Sequence, residues 1–152
     1  MQKRCAWVTF ALVVGAISVS ASALNGPRPL AGHVEGYDEY GSECGGPGSF
    51  QLTSYGVGQI THLGKSLMVS PVCVGQDGNP IGAWTFAFTA ANGDKVTGEV
   101  TGFTYTDYGF DLFATITGGT GRFAGATGEL TFPTLSTGSG VWSSEIEGWI
   151  TY

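Results

Sequence analysis

Cations are scarce in this chain. Only 6 of its 152 residues are Lys or Arg, against 12 Asp and Glu, and charged residues make up 12% of the total. That is about half the usual share of roughly 25%. A few scattered cations cannot neutralise a run of phosphates, so nucleic acid is excluded as a partner, and so is docking on anionic lipid. Histidine is scarcer still, with only His33 and His62, and no C-x-x-C or H-x-x-x-H spacing occurs. A metal site needs more ligands of the right type than that, so neither a metal nor any other cofactor is expected. The short Asp77-Gly78-Asn79 and Asn92-Gly93-Asp94 turns are no substitute for a calcium loop. No G-x-S-x-G elbow is present and no Ser/His/Asp set stands out. Asn25, Asn79 and Asn92 all fail the N-x-Ser/Thr rule for glycosylation.

Long uninterrupted segments are missing as well. Beyond the first 23 residues, no stretch free of Gly and Pro exceeds the ten residues of 83–92. Each Gly inside a helix costs about 1 kcal/mol relative to Ala, so helices are disfavoured throughout. The apolar run over 5–19 is too short to span a bilayer comfortably, and no stable membrane insertion is expected. Lys3 and Arg4 precede that run, and Ala21-Ser22-Ala23 follows it as a small-residue cleavage site. This order reads as a secretory signal peptide over residues 1–23, the alternative being a retained anchor. Cys5 is not at the end of the apolar run, where a lipid-modified cysteine would sit. The expected compartment is therefore outside the cytoplasm, extracellular or periplasmic. Cleavage removes Lys3 and Arg4, leaving Arg28, Lys65, Lys95 and Arg122 as four cations against 12 acids, a net −8.

Cleavage also leaves two cysteines, Cys44 and Cys73. In an oxidising compartment such a pair usually becomes a disulfide; two buried free thiols are the other reading. Closing that loop is worth roughly 3.6 kcal/mol by chain-entropy arithmetic.

What the chain has in abundance is Gly, 26 residues, and aromatics, 12%. Thr, Val, Phe, Tyr and Trp alternate between turn residues, the pattern of short strands. Residues 24–48, with Pro27, Pro29 and Pro47, read as an irregular Gly/Pro-rich arm, and 49–152 as one β domain. Residues 50–74 hold two strands or one long bent strand. A strand over 81–90 places Trp84, Phe86 and Phe88 on one face. Asn92-Gly93 is the strongest short hairpin signal, and the return strand sets Val96, Gly98, Val100 and Gly102 against those rings. Further strands over 110–117, 126–132 and 141–152 put Phe110, Leu112, Ala114 and Ile116, then Trp142, Ser144, Ile146 and Ile150, on single faces. Six to eight strands joined by hairpins suggest an antiparallel up-and-down barrel or a sandwich, and the barrel removes exposed edges.

The glycine segment near residue 120 admits a nucleotide reading, since Gly119-x-Gly121-x-x-Ala124 fits G-x-G-x-x-G/A. That reading needs a helix next, and Gly125, Gly128 and Pro133 forbid one. Gly118, Gly119, Gly121 and Arg122 are therefore taken as a structural turn, Arg122 anchoring it by an acid or lying at a cavity mouth.

The same string, Gly118-Gly119-Thr120-Gly121-Arg122-Phe123-Ala124-Gly125-Ala126-Thr127-Gly128, resembles the strand–GGTG–F–A–G segment of the allene oxide cyclase and dirigent barrel superfamily, most closely its exported bacterial members. Gly58-Gln59-Ile60-Thr61-His62-Leu63-Gly64 resembles an early barrel strand of that family, and Thr89-Ala90-Ala91-Asn92-Gly93-Asp94 its first sharp hairpin. The resemblance covers roughly residues 56–152; the arm carrying Cys44 is an addition to it. It implies an eight-stranded antiparallel barrel around an apolar cavity, often in a homotrimer. Characterised relatives steer reactive intermediates of oxylipins or phenoxy radicals.

The candidate lining of that cavity is Trp84, Phe86, Phe88, Phe110, Leu112, Trp142 and Ile146. His62 would reach the lumen if Ile60, His62 and Gly64 face inward, and is otherwise a hydrogen-bonded structural group. Glu99 and Asp111, on adjacent strands, are the candidate carboxylates, with a solvated outer surface as the plainer reading; the same holds for Glu145 and Glu147. Two functions remain. One is a secreted barrel that binds a small apolar or aromatic molecule and guides its cyclisation or isomerisation. The other is a non-catalytic envelope or extracellular interaction protein.

Overall fold

The computed structural model describes residues 26–152, so the signal-peptide reading of 1–23 lies outside the described residues. Nine antiparallel strands follow one another: β1 Arg28–Tyr40, β2 Phe50–Ile60, β3 Gly64–Val74, β4 Pro80–Ile81, β5 Thr85–Ala90, β6 Lys95–Thr106, β7 Gly109–Gly119, β8 Thr127–Ser136 and β9 Val141–Thr151. Each long strand pairs with its sequence neighbour, and β1 pairs with both β2 and β9. The eight long strands thus close into an up-and-down barrel, and the two-residue β4 caps the end of β3.

One boundary differs from the sequence reading. Over the described part of 24–48 the irregular arm is replaced by a strand: Arg28–Tyr40 is the 13-residue strand that closes the barrel, and the connection over 41–49 is irregular. The inward positions of this strand are Leu30, Gly32, Val34, Gly36 and Asp38, so glycines and an acid interrupt the apolar alternation that signals a strand. The glycines are there because space is short. A Cβ on Gly36 would overlap the Trp142 ring, and one on Gly32 would overlap Ile60.

The 50–74 segment forms two strands, β2 and β3, joined by a tight turn over Thr61-His62-Leu63. Further on, β5 is shorter than the 81–90 reading, because Gly82 has φ +77° and breaks the ladder after β4. Phe86 and Phe88 nevertheless face inward, 3% and 1% exposed, and Gly98 yields the space under the Phe86 ring. Size alternation across β5 and β6 therefore fills the curved interior.

The two ends of the barrel differ. At one end the Gly-rich connection after β7 folds into a single 3₁₀ turn, Gly121–Phe123, which drives Phe123 into the lumen. Phe123 is fully buried beside Ala126, Leu63, Leu30 and Ile150, with its ring 4.8 Å from that of Tyr152. Gly121 is required there: its φ is +57°, and a Cβ would strike the Asp94 carboxylate. Arg122 holds the turn from outside. Its guanidinium donates to the His62 carbonyl at 2.8 Å and lies 3.7 Å from Asp94.

At the other end the Cys44–Cys73 disulfide ties the 41–49 connection to β3, with Cα atoms 5.9 Å apart. On the outer wall, His33 Nδ1 sits 2.8 Å from Glu145 and its Nε2 sits 3.3 Å from Glu35. A row of apolar side chains runs across the same wall, Val141, Tyr37, Tyr55 and Val69 standing in register on β9, β1, β2 and β3.

Two measurements check this account. Phe123→Ala removes the plug of the closed end and should cost about 3–5 kcal/mol, read from urea unfolding midpoints at unchanged m-value. The hydrogen bond to Glu145, and secondarily that to Glu35, raises the His33 pKa above 6.5. The imidazolium therefore stabilises the fold fully below about pH 6.5, and this contribution fades as pH rises through the elevated native pKa. Proton NMR of His33 should show a midpoint above the unfolded value, and His33→Gln should lose stability relative to the parent only on the acidic side. A midpoint at or below 6.5 contradicts the assignment.

Candidate functional site

A cavity of about 220 Å³ occupies the half of the barrel away from Phe123. It lies where β1, β3, β6 and β8 end and β2, β5, β7 and β9 begin. Its wall is mainly apolar: Val34, Met68, Val72, Trp84, Phe103, Phe110, Leu112, Phe132 and Trp142. The floor is an aromatic layer in which Phe132 contacts Phe86 and Phe88 at ring separations of 5.7 and 6.1 Å. Phe50 and the exposed Tyr40 and Tyr105 stand at the rim, with Gly78 and Pro80 of the β3–β5 connection.

Of the expected lining, Trp84, Phe110, Leu112 and Trp142 face the cavity. Phe86, Phe88 and Ile146 do not; they are buried in the packed core beneath it. The reason is the taper of the filling: large rings on β5 and β8 meet across the middle of the lumen and close it there.

The catalytic candidates are elsewhere. His62 does not face the lumen. It sits exposed in the β2–β3 turn with φ +67°, and its Nε2 lies 2.9 Å from the Pro29 carbonyl. The turn closes on Gly64, which carries the chain back as β3 and leaves His62 outside the ladder. Glu99 and Asp111 occupy outward positions opposite Thr115 and Thr104 respectively, so they neither meet each other nor enter the cavity. Glu145 is engaged with His33, and Glu147 lies on the outer wall.

The polar groups that do line the cavity are Asp38, Ser54, Ser70, Thr134 and Ser144. Asp38 Oδ1 accepts two hydrogen bonds, from Ser54 Oγ at 2.6 Å and from the Trp142 indole N–H at 3.0 Å. Its backbone is held too, since its N–H donates to the Gly140 carbonyl at 2.8 Å. Across the lumen, the Trp84 indole N–H donates to Ser70 Oγ at 2.9 Å, and Ser70 donates to the Thr85 carbonyl. Thr134 and Ser144 lie 3.1 Å apart, hydroxyl to hydroxyl. Every buried polar side-chain atom among the described residues has a partner, so the cavity is preorganised rather than frustrated.

Sequence reasoning missed Asp38 because its strand was read as an irregular arm. Ser70 and Thr134 were equally hidden, as isolated hydroxyls on otherwise apolar inward faces. The usable signal was parity: Ser144 falls between Trp142 and Ile146 on one face, and that spacing does mark it as inward.

Chemically, the site is an apolar box with one carboxylate, fixed through one oxygen by Ser54 and Trp142. It offers hydrogen-bond acceptance and a general base, and shape restraint from the two indoles. The volume exceeds the roughly 150 Å³ of an apolar cavity that takes benzene, and is below the roughly 300 Å³ of the smallest drug-sized pockets. A substituted single ring or a short chain is the size that fits.

No protein-family model and no curated protein matches the chain. Among solved structures, a pterocarpan synthase dirigent protein is similar in fold, with a TM-score of 0.59 at 15% sequence identity, over 95% of this chain and 99% of that chain. The barrel is thus dirigent-like in architecture, as the GGTG segment implies, and at this identity the likeness speaks for the fold alone.

The Trp142 indole crosses above Gly36 and Gly56, neither of which has room for a Cβ beneath it. Gly56→Ala should therefore tilt the indole and break its bond to Asp38. We expect a loss of about 1–3 kcal/mol and a changed near-ultraviolet dichroism of Trp142, with far-ultraviolet dichroism retained. An unchanged near-ultraviolet spectrum would show that the glycine is not what positions the ring.

Proposed function

We propose that this protein is an exported barrel that takes one small aromatic or apolar molecule into its lumen and holds it against Asp38. The observation that carries this reading is the carboxylate itself: a single acid in an apolar cavity, anchored through one oxygen by Ser54 and Trp142. An acid is an unusual acceptor for a hydroxyl and an indole N–H in a mainly apolar wall, since an amide or hydroxyl oxygen could accept both hydrogen bonds without a charge. A guest that donates a hydrogen bond to the carboxylate supplies the reason for it. The disulfide supports export, since such bridges persist in oxidising compartments.

The reading extends to chemistry of the kind the family resemblance implies. A guest held by two indoles and one base is limited to few conformations, and such restraint guides a cyclisation or isomerisation without a nucleophile. The allene oxide cyclase kinship and the bacterial origin belong to this proposal through the GGTGRFAGATG segment. A second reading, a non-catalytic envelope protein that self-associates as a homotrimer, draws support from the exposed apolar row of Tyr37, Val69 and Val141. The two readings differ in whether the lumen takes a guest.

Titration with 4-ethylphenol, followed by quenching of tryptophan emission, decides between them. Saturable binding is expected, with loss of about tenfold or more in Asp38→Asn, the scale of one charge-assisted hydrogen bond. The non-donating analogue 4-ethyltoluene should be indifferent to that substitution. Leu52, near the start of β2, also lines the cavity at its open end; Leu52→Trp narrows that mouth and should abolish binding of both at an unchanged melting temperature. Absence of saturable binding by either compound, or equal binding in Leu52→Trp, would overturn the lumen reading and leave the second.

A further inference from the structure

The strand order sorts the charges of the chain to opposite ends of the barrel. Strands β1, β3 and β6 begin at the closed end, so Arg28, Lys65 and Lys95 stand there, together with Arg122 of the 3₁₀ turn. These are all the Lys and Arg among the described residues. The other end, around the mouth of the cavity, carries acids instead. Glu39 lies near the end of β1, Glu43 in the connection after it, Asp77 before β4, Asp107 in the β6–β7 turn and Asp111 near the start of β7. None of these acids, nor Asp38 in the cavity wall, takes part in the ion pairs among the described residues. A cleft edged by charge of one sign concentrates ions of the other sign and turns like ions away. The mouth therefore favours the entry of a cation.

The wall within makes the same choice by a different route. Below the rim, its side-chain donors are Ser54, Ser70, Trp84, Thr134, Trp142 and Ser144. Ser54 and Trp142 donate to Asp38 Oδ1. Trp84 donates to Ser70 Oγ, and Ser70 to the Thr85 carbonyl. Thr134 donates to the Phe132 carbonyl at 2.9 Å, and Ser144 Oγ has the Glu145 and Pro133 carbonyls at 3.0 and 3.2 Å. Each of these protons is thus spent inside the wall. What remains for a guest is lone pairs: those of the hydroxyl oxygens, and Asp38 Oδ2, since both bonds to that carboxylate fall on Oδ1. The lining contains no Lys, Arg or His to neutralise the acid.

A guest must then bring donors, and any acceptor it carries meets no donor below the rim. An ammonium group has three donors and no acceptor. A hydroxyl adds lone pairs that the wall leaves unpaired, and a carboxylate adds only lone pairs and charge of the repelled sign. Hydrogen bonds between ionised partners are also roughly twice as strong as neutral ones. Resting on the lumen reading proposed above, we infer that the guest is a small primary arylalkylammonium ion, its N–H groups donating to Asp38 and its ring held among Met68, Leu112, Phe132 and Trp142.

The test compares 2-phenylethylamine, 2-phenylethanol and phenylacetate, three compounds of similar shape, by calorimetric titration at neutral pH and constant ionic strength. 4-Ethyltoluene serves as the uncharged probe of the lumen. The amine should bind about tenfold or more tighter than the alcohol, 4-ethyltoluene should displace it, and phenylacetate should not bind. Asp38→Asn should erase the preference for the amine, and Leu52→Trp should abolish amine binding. The ranking of the three compounds by the parent protein decides even where Asp38→Asn does not fold. Amine binding no tighter than that of the alcohol, binding of phenylacetate, or a preference kept in folded Asp38→Asn would each overturn the proposal. So would amine affinity that survives in Leu52→Trp, which would place the amine on the acidic outer wall. In all these cases 4-ethyltoluene binding that Leu52→Trp abolishes leaves the lumen reading standing, whereas failure of both 4-ethyltoluene and 4-ethylphenol to bind overturns the two together.

Discussion

The width of a closed eight-stranded sheet is nearly fixed, and every large side chain inside must be offset by a small one beside it. In this barrel that exchange is made between indole and glycine. Trp142 crosses the lumen above Gly36 and Gly56, and Phe86 lies over Gly98. Once the ring is seated, its N–H reaches Asp38, whose other partner on the same oxygen is Ser54 of β2. One packing relation therefore ties together the closing strand β1, its two neighbours β2 and β9, and the only carboxylate in the cavity wall.

The same exchange explains the division of the lumen. Where rings from β5 and β8 meet, no glycine stands opposite Phe132 to admit more bulk, and Phe86, Phe88 and Phe132 fill the cross-section. Below them the 3₁₀ turn inserts Phe123, and the core is wholly apolar. Above them four small hydroxyl residues, Ser54, Ser70, Thr134 and Ser144, share the wall with the rings of Trp84, Phe103, Phe110 and Trp142, and space opens. The apolar half carries the stability, and the upper half can hold polar groups because each is hydrogen-bonded within the wall.

This division also decides what could be read from the sequence. Strands β5 to β9 were legible, since apolar side chains recur at alternate positions, with Gly98 of β6 facing the Phe86 ring of β5, and their turns carry Gly or Asn-Gly. The disulfide followed from two cysteines and the expected export. The closing strand was not legible, because Gly32, Gly36 and Asp38 sit at the very positions where an apolar side chain would mark a strand. His62 looked strand-borne, since Ile60 and Gly64 flank it at even spacing. In the fold Gly64 instead ends a tight turn at φ +73°. Ser144 was marked inward by its spacing between Trp142 and Ile146; the face of Ser54, Ser70 and Thr134 became clear only once the strands were paired.

A barrel's two surfaces obey different rules, and here they are chemically opposed. Inside, one carboxylate is surrounded by apolar side chains and fixed by two donors. Outside, carboxylates outnumber cations, and the few imidazole and guanidinium groups are already engaged, His33 with Glu35 and Glu145, Arg122 with Asp94. The residual negative charge is spread over the outer wall and its connections, Glu39, Glu43, Glu99, Asp107, Asp111, Glu129 and Glu147 all standing outside those pairs. Because inward and outward residues alternate along β9, the strand that presents Trp142 to the lumen also presents Glu147 and Trp149 to solvent. Outward positions of β9 can therefore be exchanged with little demand on the inward packing, because the two sets of side chains stand on opposite faces of the strand.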